Sequence, residues 1–271
     1  MSREPRHDLE GVFRMRFGAG LTAACVARVS IMLLCAGGSI VHAGCAGQGG
    51  GEEPDGAGRP ADPFAVARAA MVAGQIASRG VSDSLVLAAM RSVPRHLFVP
   101  ESLRSQAHGD SPLPIGHGQT ISQPYIVALM TEALGVREGD KVFEVGTGSG
   151  YQAAVLAEMG VEVYTMEIVE PLALLAAERL KSLGYNRVHV RAGDAYQGWV
   201  EHSPFDAVIV TAAPERVPEP LLEQLKVGGR MVIPVGEDYQ DLQLLTKTAV
   251  GVEKRSLGPV MFVPMTGKAK E

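Results

Sequence analysis

The segment Val142-Phe-Glu-Val-Gly-Thr-Gly-Ser-Gly150 is an apolar run that ends in a glycine triplet, and it constrains the fold more than any other stretch. Glycine lets a backbone turn sharply and approach a ligand with no Cβ in the way. The run therefore predicts a buried strand, a tight turn and a helix, the unit around which open α/β sheets build a ligand crevice. Gly148-Ser-Gly-Tyr-Gln-Ala153 also satisfies the dinucleotide pattern of two glycines and a small third residue, a weak signal by itself. A dinucleotide would bring an anionic pyrophosphate to the turn, where the carboxylate of Glu144 repels it. S-adenosylmethionine carries an ammonium and a sulfonium instead, and Glu144 suits that cationic ligand better.

Around this unit the chain alternates apolar strands and amphipathic helices. Strands are expected near 141–145, 161–166, 187–191, 205–211 and 230–235, with helices near 150–159, 170–183 and 218–226. That rhythm predicts a parallel, doubly wound sheet covered on both faces. Two last apolar segments, about 241–249 and 258–264, have no helix between them and are expected to pair antiparallel at the sheet edge. Upstream, Asp62-Pro63 opens a helix running to Ile76–Gly80, a second helix spans about 82–93, and a third follows Ser122-Gln-Pro124 and ends at Gly135. Residues 94–121, with four prolines and three glycines, read as a long ordered loop, of the kind that is more often functional than idle.

Composition narrows the function. A net charge of −5, with no lysine or arginine block, leaves no electrostatic footprint for nucleic acid. All three cysteines, Cys25, Cys35 and Cys45, precede the folded part, and the seven histidines show no ligand spacing, so neither a metal site nor thiol chemistry is expected there. Residues 1–43 combine a basic flank, a short apolar stretch and Val41-His-Ala43, a pattern resembling a secretory signal. A start at Met15 would give more usual proportions, and a bland extension is the alternative. Residues 44–62, rich in glycine, proline and charge, read as a flexible linker, leaving 63–271 as the catalytic domain.

Strand ends should converge on the ligand. Gly146, Gly148 and Gly150 end the first strand; Glu167 ends the second, placed to accept both ribose hydroxyls. Asp194 follows the third, either accepting an adenine amine or capping a short helix. Ser122 has two compatible roles, as a helix cap and as a hydroxyl beside unpaired backbone N–H groups where a carboxylate can dock.

Gln75-Ile-x-x-Arg-Gly80, Val93-Pro-Arg-His-x-Phe-Val-Pro100, Gly118-Gln-Thr-Ile-Ser-Gln-Pro124, Glu144-Val-Gly-Thr-Gly-Ser-Gly-Tyr151, Phe205-Asp-Ala-Val-Ile-Val-Thr-Ala-Ala-Pro214, Gly228-Gly229 and Pro234-Val-Gly236 occur in an order that resembles the protein-L-isoaspartate O-methyltransferase family. The resemblance runs from about Ala67 to Gly267. It implies a Rossmann-like class I methyltransferase fold and methyl transfer from S-adenosylmethionine to the free carboxylate of L-isoaspartyl and D-aspartyl residues in damaged proteins. It places the active-site residue at Ser122; around it Gly118, Gln119, Thr120, Ile121 and Gln123 are expected to contact the acceptor, and the strand-end residues Glu144, Gly146, Gly148, Gly150, Glu167 and Asp194 the cofactor. A monomer acting in the cytoplasm is implied, whereas the amino terminus argues for export. Two positions depart from the family pattern: Ala195 replaces a glycine, and Met261 replaces the arginine of Pro-Val-Arg-Phe. A small-molecule methyltransferase and an inactive cofactor-binding relative are the competing readings.

Overall fold

Alternation along the apolar strands divides the domain into two cores in the computed structural model, which describes residues 62–270. Val142, Ala207 and Ile209 enter one apolar cluster, while Phe143, Val145, Val208 and Val210 enter another. Successive side chains leave a strand on opposite faces, so a strand apolar on both faces must be covered on both.

The chain begins with α1 (Ala65–Met71), α2 (Ser84–Ser92), a hairpin of β1 (Leu113–Gly116) and β2 (Gln119–Ile121), and α3 (Pro124–Leu134). It continues as β3 (Lys141–Val145), α4 (Tyr151–Glu158), β4 (Glu162–Glu167), α5 (Glu170–Ser182), β5 (Val188–Ala192) and β6 (Phe205–Val210). It closes with α6 (Glu219–Glu223), β7 (Leu225–Val235), β8 (Gln240–Thr248) and β9 (Gly251–Val260). The main sheet has the order β5-β4-β3-β6-β7-β8-β9. Its strands β3 to β7 pair in parallel, whereas β8 and β9 run antiparallel. The chain winds outward from β3 to β5 and then returns to β6, so the switch point lies between β3 and β6, where ligand crevices form. Among the described residues no helix is long and apolar enough to cross a membrane.

Three expectations need correction. The first helix does not run unbroken to Gly80: after Met71 it loosens into a π turn at Val72–Ile76 and a 3₁₀ turn at Ala77–Arg79. Gly74 lies in that stretch, where it weakens the helix. The stretch 94–121 is not plain loop, because it holds 3₁₀ turns at Arg95–Phe98 and Glu101–Gln106 and the β1–β2 hairpin. Its prolines masked the hairpin, although His117 and Gly118, with φ of 52° and 72°, make the two-residue turn that such hairpins favour. Finally, the last strand is Gly251–Val260 rather than 258–264. Glu253, Lys254 and Arg255 lack apolar alternation, yet they pair with β8 and put charge on an exposed edge, which discourages further pairing. The signal-like segment and nearly all of the linker lie outside the described residues.

Candidate active site

A cleft with about 810 Å³ of empty space, part of it open to solvent, lies where the ends of β3, β4 and β6 meet the β1–β2 hairpin. On the donor side the backbone itself is the wall. Gly146 has φ of 92°, and a Cβ there would stand 2.5 Å from Thr211 Oγ1. Only glycine fits both the conformation and the space. The Thr211 hydroxyl in turn lies 2.9 and 2.7 Å from the carbonyls of Val145 and Gly146, pinning the turn to the end of β6.

Glu144 is fully buried in the central strand, and neither of its carboxylate oxygens has a hydrogen-bond partner. Burial, opposed by the neighbouring Thr165 hydroxyl and helped by Glu167, pushes its pKa up to about 8, so the free protein carries it largely as the neutral acid. A buried acid whose oxygens lack full partners is costly even when protonated, so this wall of the cleft favours a cation or donor. Glu167, by contrast, is held by the backbone: Oε2 accepts from Gly148 N at 2.8 Å and Oε1 from Val169 N at 3.0 Å. Those bonds aim the carboxylate and leave lone pairs for a ligand.

Asp194 lines the same cleft, and the capping reading of it is correct. Its Oδ1 accepts from Tyr196 N at 2.9 Å, and its Oδ2 accepts from Lys268 N at 2.8 Å. The second bond ties it to the carboxyl-terminal segment. That segment bridges to Ala213 through Ala213 N to Val263 O at 2.9 Å and Met265 N to Ala213 O at 2.7 Å. Val263, Pro264, Met265 and Thr266 thereby form a wall that the sequence reading missed, as it missed Thr211, Gln152 and Ile168. The apolar run Val260-Met-Phe-Val263 looked like strand, and nothing local announced that it leaves the sheet.

On the acceptor side, Gln119, Thr120, Ile121 and Ser122 line the cleft. Gln123, not Ser122, is the N-cap residue of α3, and no side chain caps that helix. Capping therefore does not use the Ser122 hydroxyl. Three expected contacts fall outside the lining: Gly118 forms the hairpin turn, Gly150 caps α4 against Leu180, and the Gln123 amide donates to Asp110 Oδ1 at 2.8 Å. Of the two departures from the family pattern, Ala195 is buried and lines the cleft, whereas Met261 is 92% exposed and lies away from it.

A buried acid beneath the glycine turn suits a cationic ligand better than a pyrophosphate, and with it the fold and cleft define a Rossmann-like methyltransferase with an adenosyl-bearing cofactor. Residues 67–270 match the family described as protein-L-isoaspartate(D-aspartate) O-methyltransferase (PCMT), and the chain belongs to that family. A protein-L-isoaspartate O-methyltransferase of Gloeobacter violaceus is 58% identical over 198 residues, covering 72% of this chain and 97% of the relative. That of Opitutus terrae is 60% identical over 198 residues, covering 72% of this chain and 85% of the relative. A solved protein-L-isoaspartate O-methyltransferase superposes with a TM-score of 0.66 at 30% identity, covering 71% of this chain and 64% of that longer one. A Plasmodium falciparum structure described as a protein-L-isoaspartate O-methyltransferase (PCMT), in complex with S-adenosyl-L-homocysteine, gives a TM-score of 0.64 at 28% identity, covering 73% of this chain and 98% of that one.

Proposed function

We infer that the cleft carries out the family's reaction, methylation of the free carboxylate of L-isoaspartyl and D-aspartyl residues in damaged proteins. The observation that carries the cofactor half is Glu144, buried and unpartnered at the base of the glycine turn, where a cationic methionyl group satisfies it. Glu167 would take the ribose, its carboxylate already aimed by Gly148 and Val169. Asp194 retains lone pairs for an adenine amine beside its two backbone bonds. When bound, S-adenosylmethionine supplies an electrophilic methyl group.

The residues of the chain then have a positioning task. The acceptor carboxylate is ionised near neutral pH, since ordinary carboxyl pKa values lie around 4, and needs no strong base. Ser122 holds it by hydrogen bonding, and the strand from Gln119 to Ile121 sets its approach. Such alignment and exclusion of water supplies roughly 7 to 11 kcal/mol in well-oriented systems. The same Ser122 hydroxyl is spared from capping, which supports this role.

The test is transfer of labelled methyl to an isoaspartyl peptide and its aspartyl twin, followed by base-labile methanol release. Labelling of the isoaspartyl peptide alone is expected; equal labelling of both, or of neither, overturns the assignment. The place of action follows the mature amino terminus. A chain beginning near Gly44 or Cys45 acts after export, whereas an intact one acts in the cytosol, where the methyl donor is made.

A further inference from the structure

The motif Val93-Pro-Arg-His-x-Phe-Val-Pro100 lines no part of the cleft, yet it contributes the largest of the fully buried side chains, Arg95. Its guanidinium makes no ion pair among the described residues. Instead Nε donates to the Ala107 carbonyl at 2.7 Å, and Nη2 donates to the Ser122 carbonyl at 2.7 Å. The cation lies 4.7 Å from the ring centroid of Tyr151, the first residue of the helix after the glycine turn. Nη1 is buried without a partner.

Filling this space with a charge is an expensive way to stabilise a fold, because burying a cation costs several kcal/mol and an apolar side chain of similar volume is often as good or better. What an apolar chain cannot do is hold two carbonyls at a set separation. The planar guanidinium presents donors in a rigid fork, and hydrogen bonds from a charged donor are worth about 1.5–3 kcal/mol each. Here the fork joins three pieces: the segment before the hairpin, the residue at the acceptor site, and the cofactor helix.

We propose that Arg95 is the positioning residue of the acceptor site, fixing the Ser122 backbone against Ala107 and Tyr151 and so setting where the acceptor carboxylate lies. This rests on the function inferred above. The geometry separates two contributions. Misplacing Ser122 lowers kcat, since a displacement near 1 Å costs about 100-fold. The positive charge contributes separately, because a charged donor holds the Ser122 carbonyl more strongly than a neutral one would.

Arg95→Lys keeps the charge but not the fork, and Arg95→Met removes both while filling the volume. For Arg95→Lys, kcat on an isoaspartyl peptide should fall about tenfold or more, with KM changed less than about threefold. For Arg95→Met, which loses fork and charge together, the fall in kcat should be larger. In both, S-adenosylhomocysteine affinity should stay within about twofold, and amide hydrogen exchange should quicken at 119–123 but not in β3 or α4. An unchanged kcat in the lysine variant overturns the proposal, as does a parallel loss of S-adenosylhomocysteine affinity, or failure of both variants to bind it. If the wild-type protein itself methylates no isoaspartyl peptide, the functional reading fails, and the exchange measurement still decides whether Arg95 holds Ser122.

Discussion

The glycine turn at the heart of the donor side is built by neighbours in sequence, with Thr211 and Asp194 joining that side from farther along, whereas the acceptor side is held by side-chain bonds across long stretches of chain. Glu144 and the three glycines lie within seven consecutive residues, at the end of β3 and in the turn after it, with β3 flanked by β4 and β6 in a parallel ladder. Ser122 depends on Arg95, and Gln123 on Asp110, which is paired with Arg79 at 3.0 Å while Arg79 stacks 3.6 Å over Tyr125. Gln75 donates to the His108 carbonyl at 2.9 Å, joining the amino-terminal helical layer to the same frame. Backbone ladders tolerate side-chain change, but a frame made of side chain-to-backbone bonds loses a whole contact with each substitution. Damage to the donor side should therefore abolish cofactor binding outright, and damage to the acceptor side should leave it intact.

The strongest break of this contrast is Gly146→Val. With φ of 92° and Thr211 Oγ1 in the way, the new side chain adds backbone strain of about 1–3 kcal/mol and distorts the turn. Calorimetry should find S-adenosylhomocysteine binding lost and the melting temperature lowered; retained affinity would show that the turn does not shape the site.

Glu144 provides the next largest effect through pH. Its carboxyl, pushed up to about 8 by burial, is largely protonated in the free protein at neutral pH and must ionise to pair with an ammonium. Cofactor affinity should therefore rise with pH toward 8, by up to about tenfold per unit, as the competent fraction grows. Titrations between pH 6 and 8 should show that rise in the wild type, and a weaker, flat profile in Glu144→Gln. A flat wild-type profile would remove the carboxylate from the ammonium contact.

On the acceptor side, Ser122→Ala should lower methyl transfer about 10- to 100-fold, the worth of a hydrogen bond to a charged group. S-adenosylhomocysteine affinity and melting temperature should stay near wild-type values. Loss of stability instead would mean that the hydroxyl serves the helix after all.

The smallest expected effect separates the two sides by their response to acid. His108 and His96 are buried with Phe64, the rings of Phe64 and His96 stacking at 4.2 Å, near Asp62, Arg68 and Arg95. Burial, helped by these cations, holds His108 at about 4, well below its ordinary 6.5, and burial also lowers His96. The folded state therefore keeps these imidazoles neutral while the unfolded chain takes up protons. Their contribution to stability is complete above pH 6.5 and is lost as pH falls toward 4. Hydrogen exchange at pH 5 should quicken in the acceptor frame, residues 96–123, before it does in β3. Uniform quickening would show that the two sides share one stability.

Much of this contrast follows from what can be read along a chain. The alternating strands, the glycine turn, Glu144 beneath it and Glu167 at the next strand end depend on period-two burial and on spacing within one βαβ unit, so the residue order alone places them. The hairpin at 113–121 was hidden because Pro112 and Pro114 argue against a strand, and β9 because an edge strand needs no apolar face. The joint role of Asp194 as cap and cleft wall, the Val263–Thr266 wall and the grip of Arg95 on Ser122 join residues far apart in sequence. Sequence by itself determined the class of fold and the chemistry of the donor, because those rest on local pattern and charge. Only the tertiary structure decided how Ser122 is held and what closes the cleft, because a buried hydrogen bond to a distant carbonyl leaves no periodic trace in the chain that makes it.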